Sequence, residues 1–424
     1  MKLKRAFPVL LIVFLLSLSL SSTKAQENGS IQVMAAWAGD EETGFREVLT
    51  AFTEATGIEV VYVVDRDVQD TVQTLVAGGN PPDVAAIPRP GVIAQLARDG
   101  ALVPLTDLLD EAYLHDNYSD AILALGTVDG TLYGIMGKAN SKSTIWYRPA
   151  DFEELGVEVP TTWDELIAVQ DAFLAAGKTP WSIGGLDGWT LTDWFENIYS
   201  RVADDASYLG LFVTHDVAWT DDSVKEAMSY FEQIVAPSDE NLVGGADGTL
   251  STGFQDAYYF LLRGEAGLHY EGGFMSSFGE QTFPDLECGE DYTFFLFPPI
   301  SEEMGAPVIG GGDIFVAFND RPEVAAFIEF LASAEAGSTW ATAEAGSVIS
   351  PNKNVSLDLY EAACKRAEAE QIVGASRFLF DGSDLAPGAV GGDAMFTGLQ
   401  DFIADPASVD DTLQFLEDVA AEAY

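Results

Sequence analysis

A tryptophan directly followed by carboxylates is the first feature of this sequence that could do chemistry. Trp37 precedes Gly39, and Asp40, Glu41 and Glu42 come next. An indole offers a flat face to an apolar ligand surface, and carboxylates accept hydrogen bonds from polar groups beside it. The segment is therefore a candidate binding site. Trp37 could equally pack under a solvated acidic loop, and this stretch alone does not decide between the two.

The residues around this turn predict a strand, a loop, a helix and a second strand. An apolar run starts at Ile31 and is broken by Gly39 and the carboxylates, which is typical of a strand followed by a loop. Apolar residues then recur at helical spacing up to Gly57, where a helix commonly ends, and a β-branched strand runs from Ile58 to Val64. In such α/β units ligands bind at the carboxyl ends of the strands. The acidic turn lies where a ligand would bind.

The rest of the chain predicts the same α/β class. A second helix ends at Gly78-Gly79 and leads into a short buried strand, so the N-terminal region is predicted to be parallel α/β. The middle of the chain is mainly helical up to about Phe278. Strands return at Tyr292 to Phe297 and at Asp313 to Phe318, and the C-terminal part is helical again. A strand-rich part therefore occurs twice.

The charge of the chain argues against nucleic acid as a partner. The sequence has 68 acidic and 20 basic residues, a net charge of -48. Binding to phosphates requires clustered Lys and Arg. Anionic membrane surfaces are disfavoured for the same reason, and such a charge mainly favours solubility.

Catalytic and metal-binding motifs are weak in this sequence. The histidines His115, His215 and His269 occur in no nucleophile motif and in no metal-ligand spacing. The segment Asp381-Gly-Ser-Asp384 resembles a fragment of a calcium loop without the full ligand series. Glycosidases use a pair of catalytic carboxylates, but no motif in this sequence identifies such a pair. We therefore predict no enzyme activity, no bound metal and no cofactor.

The first 25 residues have the pattern of a secretory signal peptide. Basic residues precede the apolar run Val9 to Leu20, and small residues follow up to Ala25. The run is shorter than the roughly 20 residues that span a bilayer. We expect cleavage after Ala25 and an exported, soluble protein, periplasmic or extracellular, without a lipid anchor because no cysteine lies near the cleavage site. Cys288 and Cys364 favour one disulfide in an exported protein, although two free thiols remain an alternative.

Short motifs occur in a specific order along nearly the whole mature chain. They are Trp37-Ala-Gly-Asp-Glu-Glu, Phe52-Thr-Glu-Ala-Thr-Gly-Ile-Glu-Val, Ala77-Gly-Gly-Asn-Pro-Pro-Asp-Val, Asp129-Gly-Thr-Leu-Tyr-Gly, Trp146-Tyr-Arg-Pro, Pro160-Thr-Thr-Trp-Asp-Glu-Leu, Ile309-Gly-Gly-Gly-Asp and Phe380-Asp-Gly-Ser-Asp. Each motif alone is weak. Together they resemble the extracellular solute-binding proteins of ABC transporters (family 1), in the branch that includes maltose-binding protein and other oligosaccharide and glycoside binders.

The resemblance implies a two-lobed periplasmic-binding-protein fold, type II-like, with a helix-rich second lobe. The lobes would close around a ligand by hinge motion. The implied domains are a signal peptide at 1–25, a first lobe at 26–138 plus 301–345, and a second lobe at 139–300 plus 346–424.

The resemblance also implies ligand contacts on both lobes. The acidic turn after Trp37 matches the first-lobe loop that contacts sugar in relatives. Arg89 falls in a ligand-contacting loop after the third strand, and Lys138 falls at the crossing into the second lobe. Trp189 lies in a turn where relatives often stack an aromatic residue on a sugar ring.

The chemistry of sugars explains this choice of residues. A sugar presents flat patches of C–H beside hydroxyls, so its site needs aromatic faces and charged hydrogen-bonding groups. The predicted aromatic contacts are Trp37, Trp189, Phe274 and Phe396. The predicted polar contacts are Asp40, Glu41, Glu42, Arg89, Lys138, Asp187 and Asp313. Phe274 and Phe396 stand where relatives commonly have Trp, which leaves the stacking geometry and the length of the sugar open.

We therefore expect the substrate-binding component of an ABC importer, acting as a monomer. It would capture a sugar, an oligosaccharide or a glycoside, and deliver it to the membrane permease subunits. Two alternatives remain. A protein of the same fold for a non-sugar solute would have a mainly charged cleft without a stacked aromatic residue. A secreted glycoside hydrolase would have a buried carboxylate pair with separated pKa values.

Overall fold

The computed structural model of the protein describes residues 29–236, 239–345 and 348–424. The predicted signal peptide, residues 1–25, lies outside the described residues. Within the described ranges, no helix is both long and apolar enough to cross a membrane. The predicted α/β class is confirmed, because strands and helices alternate along these ranges.

The strands in the described ranges form two larger sheets and one short hairpin. In chain order they are β1 (Ser30–Ala35), β2 (Glu59–Val64), β3 (Val84–Ile87), β4 (Thr127–Val128), β5 (Thr131–Leu132), β6 (Gly134–Ser141), β7 (Thr144–Tyr147), β8 (Trp181–Ser182), β9 (Leu268–Glu271), β10 (Thr293–Leu296), β11 (Val308–Ala317) and β12 (Phe378–Phe380). The first sheet has the order β12-β11-β3-β1-β2, with β6 also paired to β11. The second sheet has the order β10-β7-β9-β8. In the first sheet, β1 runs parallel to β2 and β3, and β11 runs antiparallel to β3 and β6.

Helices cover both sheets. In chain order they are α1 (Asp40–Thr56), α2 (Val68–Ala77), α3 (Pro90–Arg98), α4 (Glu111–Asn117), α5 (Asp120–Leu125), α6 (Pro149–Leu155), α7 (Trp163–Ala175), α8 (Trp189–Val202), α9 (Asp205–Leu209), α10 (Asp222–Val235), α11 (Gly245–Ser251), α12 (Phe254–Arg263), α13 (Met275–Thr282), α14 (Pro322–Leu331), α15 (Ala334–Ala341), α16 (Ala363–Gly374), α17 (Gly382–Leu385), α18 (Met395–Ala404) and α19 (Val409–Ala423). Short 3-10 turns occur at Leu105–Asp107, Gly185–Asp187, Asp239–Asn241, Leu357–Leu359 and Pro406–Ser408, and π-type turns at Gly210–Thr214 and Ala389–Ala394.

The first lobe is built on the larger sheet. Helix α1 buries one apolar stripe against that sheet, as its helical spacing predicts. The stripe consists of Phe45, Val48, Leu49 and Phe52. The helix ends at Gly57, whose left-handed φ of 73° suits a residue without a side chain. Trp37 and Arg89 follow the carboxyl ends of β1 and β3, so both lie at the edge of the sheet where ligands bind.

The second lobe is built around α8, which is buried from Thr190 to Arg201. Trp194 and Phe195 pack in the second core, where their apolar rings are covered. The polar residues of the same helix must find partners inside the protein, because a buried unpaired polar group costs about 1–3 kcal/mol. Asn197 meets this need by donating to the backbone carbonyl of Lys142 at 2.8 Å. Helix α8 therefore packs directly against the end of β6.

Arg201 fixes the crossing from β10 to β11. This fully buried guanidinium donates to the carbonyls of Phe297, Pro298 and Pro307 at 2.8 to 3.0 Å. It also lies 4.7 Å from the centroid of the Phe297 ring. Burial lowers its pKa to about 9. One side chain of α8 thus holds both ends of the loop that joins the sheets.

The C-terminal chain returns to the second lobe later than the predicted boundary at residue 346. Strand β12 pairs parallel with β11 in the first sheet, and Ile349, Ala369 and Phe378 pack in the first core. The chain leaves the first sheet after β12, at Asp381. The difference arises because a strand of three residues gives no detectable alternation in sequence.

A disulfide joins Cys288 to Cys364, with Cα atoms 5.8 Å apart. Cys288 lies in the loop between α13 and β10, and Cys364 lies in the first turn of α16. Both cysteines are buried in a third apolar cluster with Trp146, Tyr258 and Tyr292. The bond links parts of the chain that are 76 residues apart.

Candidate functional site

A cavity of about 870 Å³ lies between the lobes. Its first-lobe residues include Asp40, Glu41, Lys138 and Asn140. Its second-lobe residues include Phe274, Ser277, Phe278 and Glu280. A further wall contains Tyr360, Glu361, Lys365 and Glu368. The volume falls in the range of small-molecule sites, roughly 300–1,000 Å³. The cavity is therefore our candidate ligand site.

Glu41 and Lys138, on the floor of the cavity, form a cluster with Trp37 and Asp313, which we call the first Trp–Lys cluster. Lys138 Nζ lies 2.7 Å from Glu41 Oε1, 3.2 Å from Asp313 Oδ2 and 5.1 Å from the centroid of the Trp37 ring. Burial lowers the pKa of Lys138, but the attraction of Asp313 and Glu41 outweighs this and raises it. The lysine is therefore charged and already neutralised by two carboxylates.

Trp37 supports this floor from beneath. Its side chain is 2% exposed and packs edge-on against the rings of Phe45, Phe315 and Trp340. Its indole N–H donates to Asp313 Oδ2 at 3.2 Å. The structure thus shows a packed tryptophan, the alternative that the sequence left open, and Trp37 positions the polar groups above it.

The three carboxylates after Trp37 have different surroundings. They form the first turn of α1, where negative charge is favoured by the helix dipole. Glu41 binds Lys138, and Asp40 and Glu41 both line the cavity. Glu42 instead forms an ion pair with Arg46, one helical turn later, at 2.7 Å. Glu42 is therefore paired with Arg46 rather than with Lys138.

A second Trp–Lys cluster lies on the opposite lobe and consists of Trp189, Lys142, Asp193 and Asp381. Lys142 Nζ lies 3.1 Å from Asp193 Oδ1 and 5.3 Å from the centroid of the Trp189 ring, and it also bonds to Asp381 Oδ2. The Trp189 side chain is only partly buried, and its ring centroid lies 6.3 Å from that of Phe274. An aromatic face and a lysine thus occur side by side next to the cavity.

Asp193 and Asp381 are buried carboxyl groups that both bind the Lys142 ammonium. Asp193 Oδ2 is buried, and no donor among the described residues reaches it. Burial raises the pKa of Asp193 more than Lys142 lowers it, so the net shift is well upward. Burial also raises the pKa of Asp381, but the Lys142 ammonium outweighs this and brings it to about 2. Burial and the Lys142 ammonium thus shift the pKa values of the two carboxyl groups in opposite directions.

A metal ion is not needed to explain these carboxylates. Oxygens of Asp193, Glu196 and Asp381 lie within 4.8 Å of one another. Glu196, however, accepts two backbone N–H groups of the segment after Asp381 at 2.8 and 2.9 Å. The Lys142 ammonium binds the other two carboxyl groups. The lysine thus supplies positive charge beside two of the three carboxyl groups.

Arg89 and Asp187 have partners within the protein, and their contact with a ligand stays a prediction. Arg89 Nε lies 3.9 Å from Asp384 Oδ1, which places it across from the start of the C-terminal segment of the second lobe. Burial and the nearby Asp381 raise the pKa of Asp384 to about 7. Asp187 accepts the backbone N–H of Phe254 at 2.7 Å and so satisfies the first residue of α12. Asp187 therefore has a structural partner.

Phe396 lies beside the turn that contains Trp189. A side chain at Gly188 would come within 2.6 Å of the Phe396 ring, so this ring covers the backbone just before Trp189. The structure thus brings Trp189, Phe274 and Phe396 to one side of the cleft. Whether each contacts ligand stays a prediction.

Sequence reasoning did not select Lys142, Asp193 or Asp381. Lys142 and Lys138 are four residues apart at a predicted crossing, which is a weak signal. Asp193 precedes the buried pair Trp194-Phe195, and a carboxylate inside an apolar stripe requires a partner. That pattern could have been noticed, but it does not identify the partner.

Comparison with known proteins gives the family. Residues 38–338 match the family model described as bacterial extracellular solute-binding protein. The chain belongs to this family. It is 37% identical to the osmoprotective compounds-binding protein GgtB of Synechocystis sp. over 92% of both chains. It is 35% identical to the alpha-glucosides-binding periplasmic protein AglE of Rhizobium meliloti over 90% of this chain and 85% of that one.

Solved structures of solute-binding proteins share the fold. The bacterial solute receptor AcbH, described as having an exclusive preference for β-D-galactopyranose, superposes with a TM-score of 0.80 at 20% identity. That match covers 93% of this chain and 99% of AcbH. Ligand-free RafE from Streptococcus pneumoniae has a TM-score of 0.77 at 18% identity, over 93% of this chain and 98% of RafE. The two-lobed fold of solute-binding proteins that the sequence predicted is confirmed.

Proposed function

We propose that this protein is the substrate-binding component of an ABC importer and that it captures an uncharged sugar or glycoside between its lobes. It would act outside the cytoplasmic membrane after removal of residues 1–25 and deliver the ligand to permease subunits. The relatives GgtB and AglE, whose names refer to osmoprotective compounds and alpha-glucosides, support a small polar ligand.

The composition of the cleft supports this proposal most directly. The cavity combines aromatic side chains, Phe274 and Phe278, with carboxylates that accept hydrogen bonds. The lysines of both Trp–Lys clusters are each bound by two carboxylates. At these two described lysines an anionic ligand would meet positive charge that is already compensated, whereas hydroxyl groups would find acceptors.

Hinge closure would couple binding to delivery. The ligand contacts both walls of the cavity only when the lobes approach, so it binds the closed form more tightly. This difference in affinity sets how far the population shifts toward the closed form. No bond is made or broken in this mechanism.

The carboxylate pair Asp193 and Asp381 does not support the hydrolase alternative. Its pKa values are separated, as a glycosidase would require. The two carboxyl groups, however, are bridged by the Lys142 ammonium, whereas glycosidases place the sugar between theirs. Both residues are also inaccessible, at 0% and 1% exposure, so a glycosidic bond could not reach between them.

Calorimetry with a ligand panel tests the proposal. The panel contains trehalose, sucrose, maltose, galactose and raffinose, with glycine betaine and spermidine as non-sugar solutes. We expect binding of at least one sugar. Binding of betaine or spermidine with no heat from any sugar would reject the proposal in favour of a non-sugar receptor.

A matched pair of variants tests the location of the site. Glu41→Gln should weaken binding of the best sugar about tenfold, equivalent to about 1.4 kcal/mol, because it removes a charged acceptor at the cavity. Glu42→Gln changes the next carboxylate, which is bound to Arg46, and should alter affinity less than about twofold. Equal effects of the two variants would contradict the placement of the site.

A further inference from the structure

Helix α16 belongs to both lobes. Its residues Ala369 and Ile372 pack in the core of the first lobe. Its first turn carries Cys364, which is 1% exposed and packs in the cluster around Trp146 and Tyr258 of the second lobe. The helix therefore extends from one lobe to the other beside the cavity.

The disulfide makes this contact covalent. Cys288 precedes β10 of the second sheet, so the Cys288–Cys364 bond attaches α16 to the second lobe. The other end of α16 stays in the first core and continues into β12 of the first sheet. The bond thus connects the lobes at a point separate from the backbone crossings.

Glu368, one turn after Cys364, adds a close contact at the same side. Its Oε1 accepts the backbone N–H of Ser141 at 2.9 Å. The same carboxyl group lies against Gly273, where a Cβ atom would come within 2.1 Å of it. Gly273 also donates its N–H to the carbonyl of Ser141 at 2.8 Å. The strand β6, the start of α13 and the middle of α16 are therefore in direct contact.

The elements joined in this way form two walls of the candidate site. Lys365 and Glu368 of α16 line one wall of the cavity, and Phe278 and Glu280 of α13 line the other. Both helices lead into the disulfide, α16 at Cys364 itself and α13 through the loop to Cys288. The two walls cannot separate at this end while the bond is intact.

We propose that the Cys288–Cys364 disulfide closes one end of the cleft and so restricts the site to compact ligands, of monosaccharide or disaccharide size. A long oligosaccharide needs a cleft that is open at both ends, and the joined walls block one of them. The size restriction rests on the proposed function, whereas the joining of the lobes does not.

Affinities for compact and long α-glucosides test the restriction. Trehalose, sucrose and maltose are the compact probes, and maltoheptaose is the long one. The oxidised protein should bind its best compact probe at least about 100-fold more tightly than maltoheptaose, because one end of the site is closed. Reduction with dithiothreitol, or the double variant C288S/C364S, should lower this ratio at least about tenfold.

The controls separate loss of folding from opening of the cleft. Reoxidation of the reduced protein should restore the original ratio. Gly273→Ala keeps the disulfide but forces a Cβ atom against Glu368, and it should also lower the ratio. Gly374→Ala, at the end of α16, where a Cβ atom meets nothing within 4 Å, should leave it unchanged.

The outcomes distinguish this inference from the proposed function. A ratio below about ten in the oxidised protein, or a ratio unaffected by reduction, would overturn the size restriction. Binding of no sugar at all would instead reject the proposed function. In that case small-angle scattering of the ligand-free protein still tests whether the disulfide joins the lobes. An increase in the radius of gyration on reduction supports it, and an identical radius overturns it.

Discussion

The two Trp–Lys clusters each combine a tryptophan, a lysine and two carboxylates, but they differ in which group is exposed. In the first cluster the tryptophan is 2% exposed, while the side chain of the carboxylate Glu41 is 46% exposed. In the second cluster the carboxylates are 0% and 1% exposed, while Trp189 is partly open. Burial thus decides which group is available: the first lobe presents a carboxylate, and the second presents an aromatic face.

Substitution of either lysine should have the largest effect on stability, and the size of the loss should differ between the two clusters. Lys142→Met leaves the buried Asp381 carboxylate without its cation, and loss of one partner of a buried ion pair costs about 3–5 kcal/mol. Lys138→Met should cost about half as much or less, because Glu41 can be solvated. Urea unfolding of both variants measures the difference. Equal losses would show that burial does not distinguish the clusters.

The pH dependence of stability should come from the second lobe. Burial raises the pKa of Glu271, which is 1% exposed, to about 8, against an unfolded value near 4.3. The folded protein keeps this proton while the unfolded chain loses it. The contribution of Glu271 to stability is therefore complete below about pH 4 and falls as the pH rises toward 8, by about 1.4 kcal/mol per pH unit at most.

Glu271→Gln tests this assignment. Denaturation between pH 5 and 8 should show a shallower decline in the free energy of unfolding for this variant than for the wild type. An unchanged slope in Glu271→Gln would mean that another group retains the proton.

Truncation of the exposed tryptophan should affect binding more than folding. Trp189→Ala should weaken sugar binding by about 1–2 kcal/mol, because an aromatic face that would pack on the sugar is lost. Calorimetry and thermal unfolding of the same sample provide both numbers. A large loss of stability with unchanged affinity would assign Trp189 to the core instead.

Trp37→Phe should have the smallest effect. The substitution keeps an aromatic ring among Phe45, Phe315 and Trp340 but removes the N–H that donates to Asp313. We expect a loss of about 1 kcal/mol of stability and little change in sugar affinity. A loss of binding larger than that of Trp189→Ala would reverse the roles that we assign to the two tryptophans.

The sequence predicts local elements well because their signals are local. The stripe of α1 and its end at Gly57 follow from spacing and from one glycine. The spacing of Glu42 and Arg46, four residues apart in a helix, also permits the ion pair that the structure shows. The fold of the whole chain could be predicted only from the order of motifs that the chain shares with a family.

The site was less predictable because the residues that contact one another in it are distant in sequence. Lys142 bonds to carboxylates 51 and 239 residues away, and no spacing rule connects them. The burial of Trp37 depends on Phe315 and Trp340, which lie on β11 and α15. Only the packed structure shows that one tryptophan supports the floor and the other lies open.

The contacts of Arg201 have a consequence for protein engineering. Because this side chain holds the carbonyls of Phe297, Pro298 and Pro307, both ends of the loop between β10 and β11 are fixed to α8. The middle of the loop contains the exposed residues Glu302 and Glu303. A change there should therefore not displace the strands on either side. A reporter peptide inserted between these two residues would extend into solvent and leave the movement of the lobes intact.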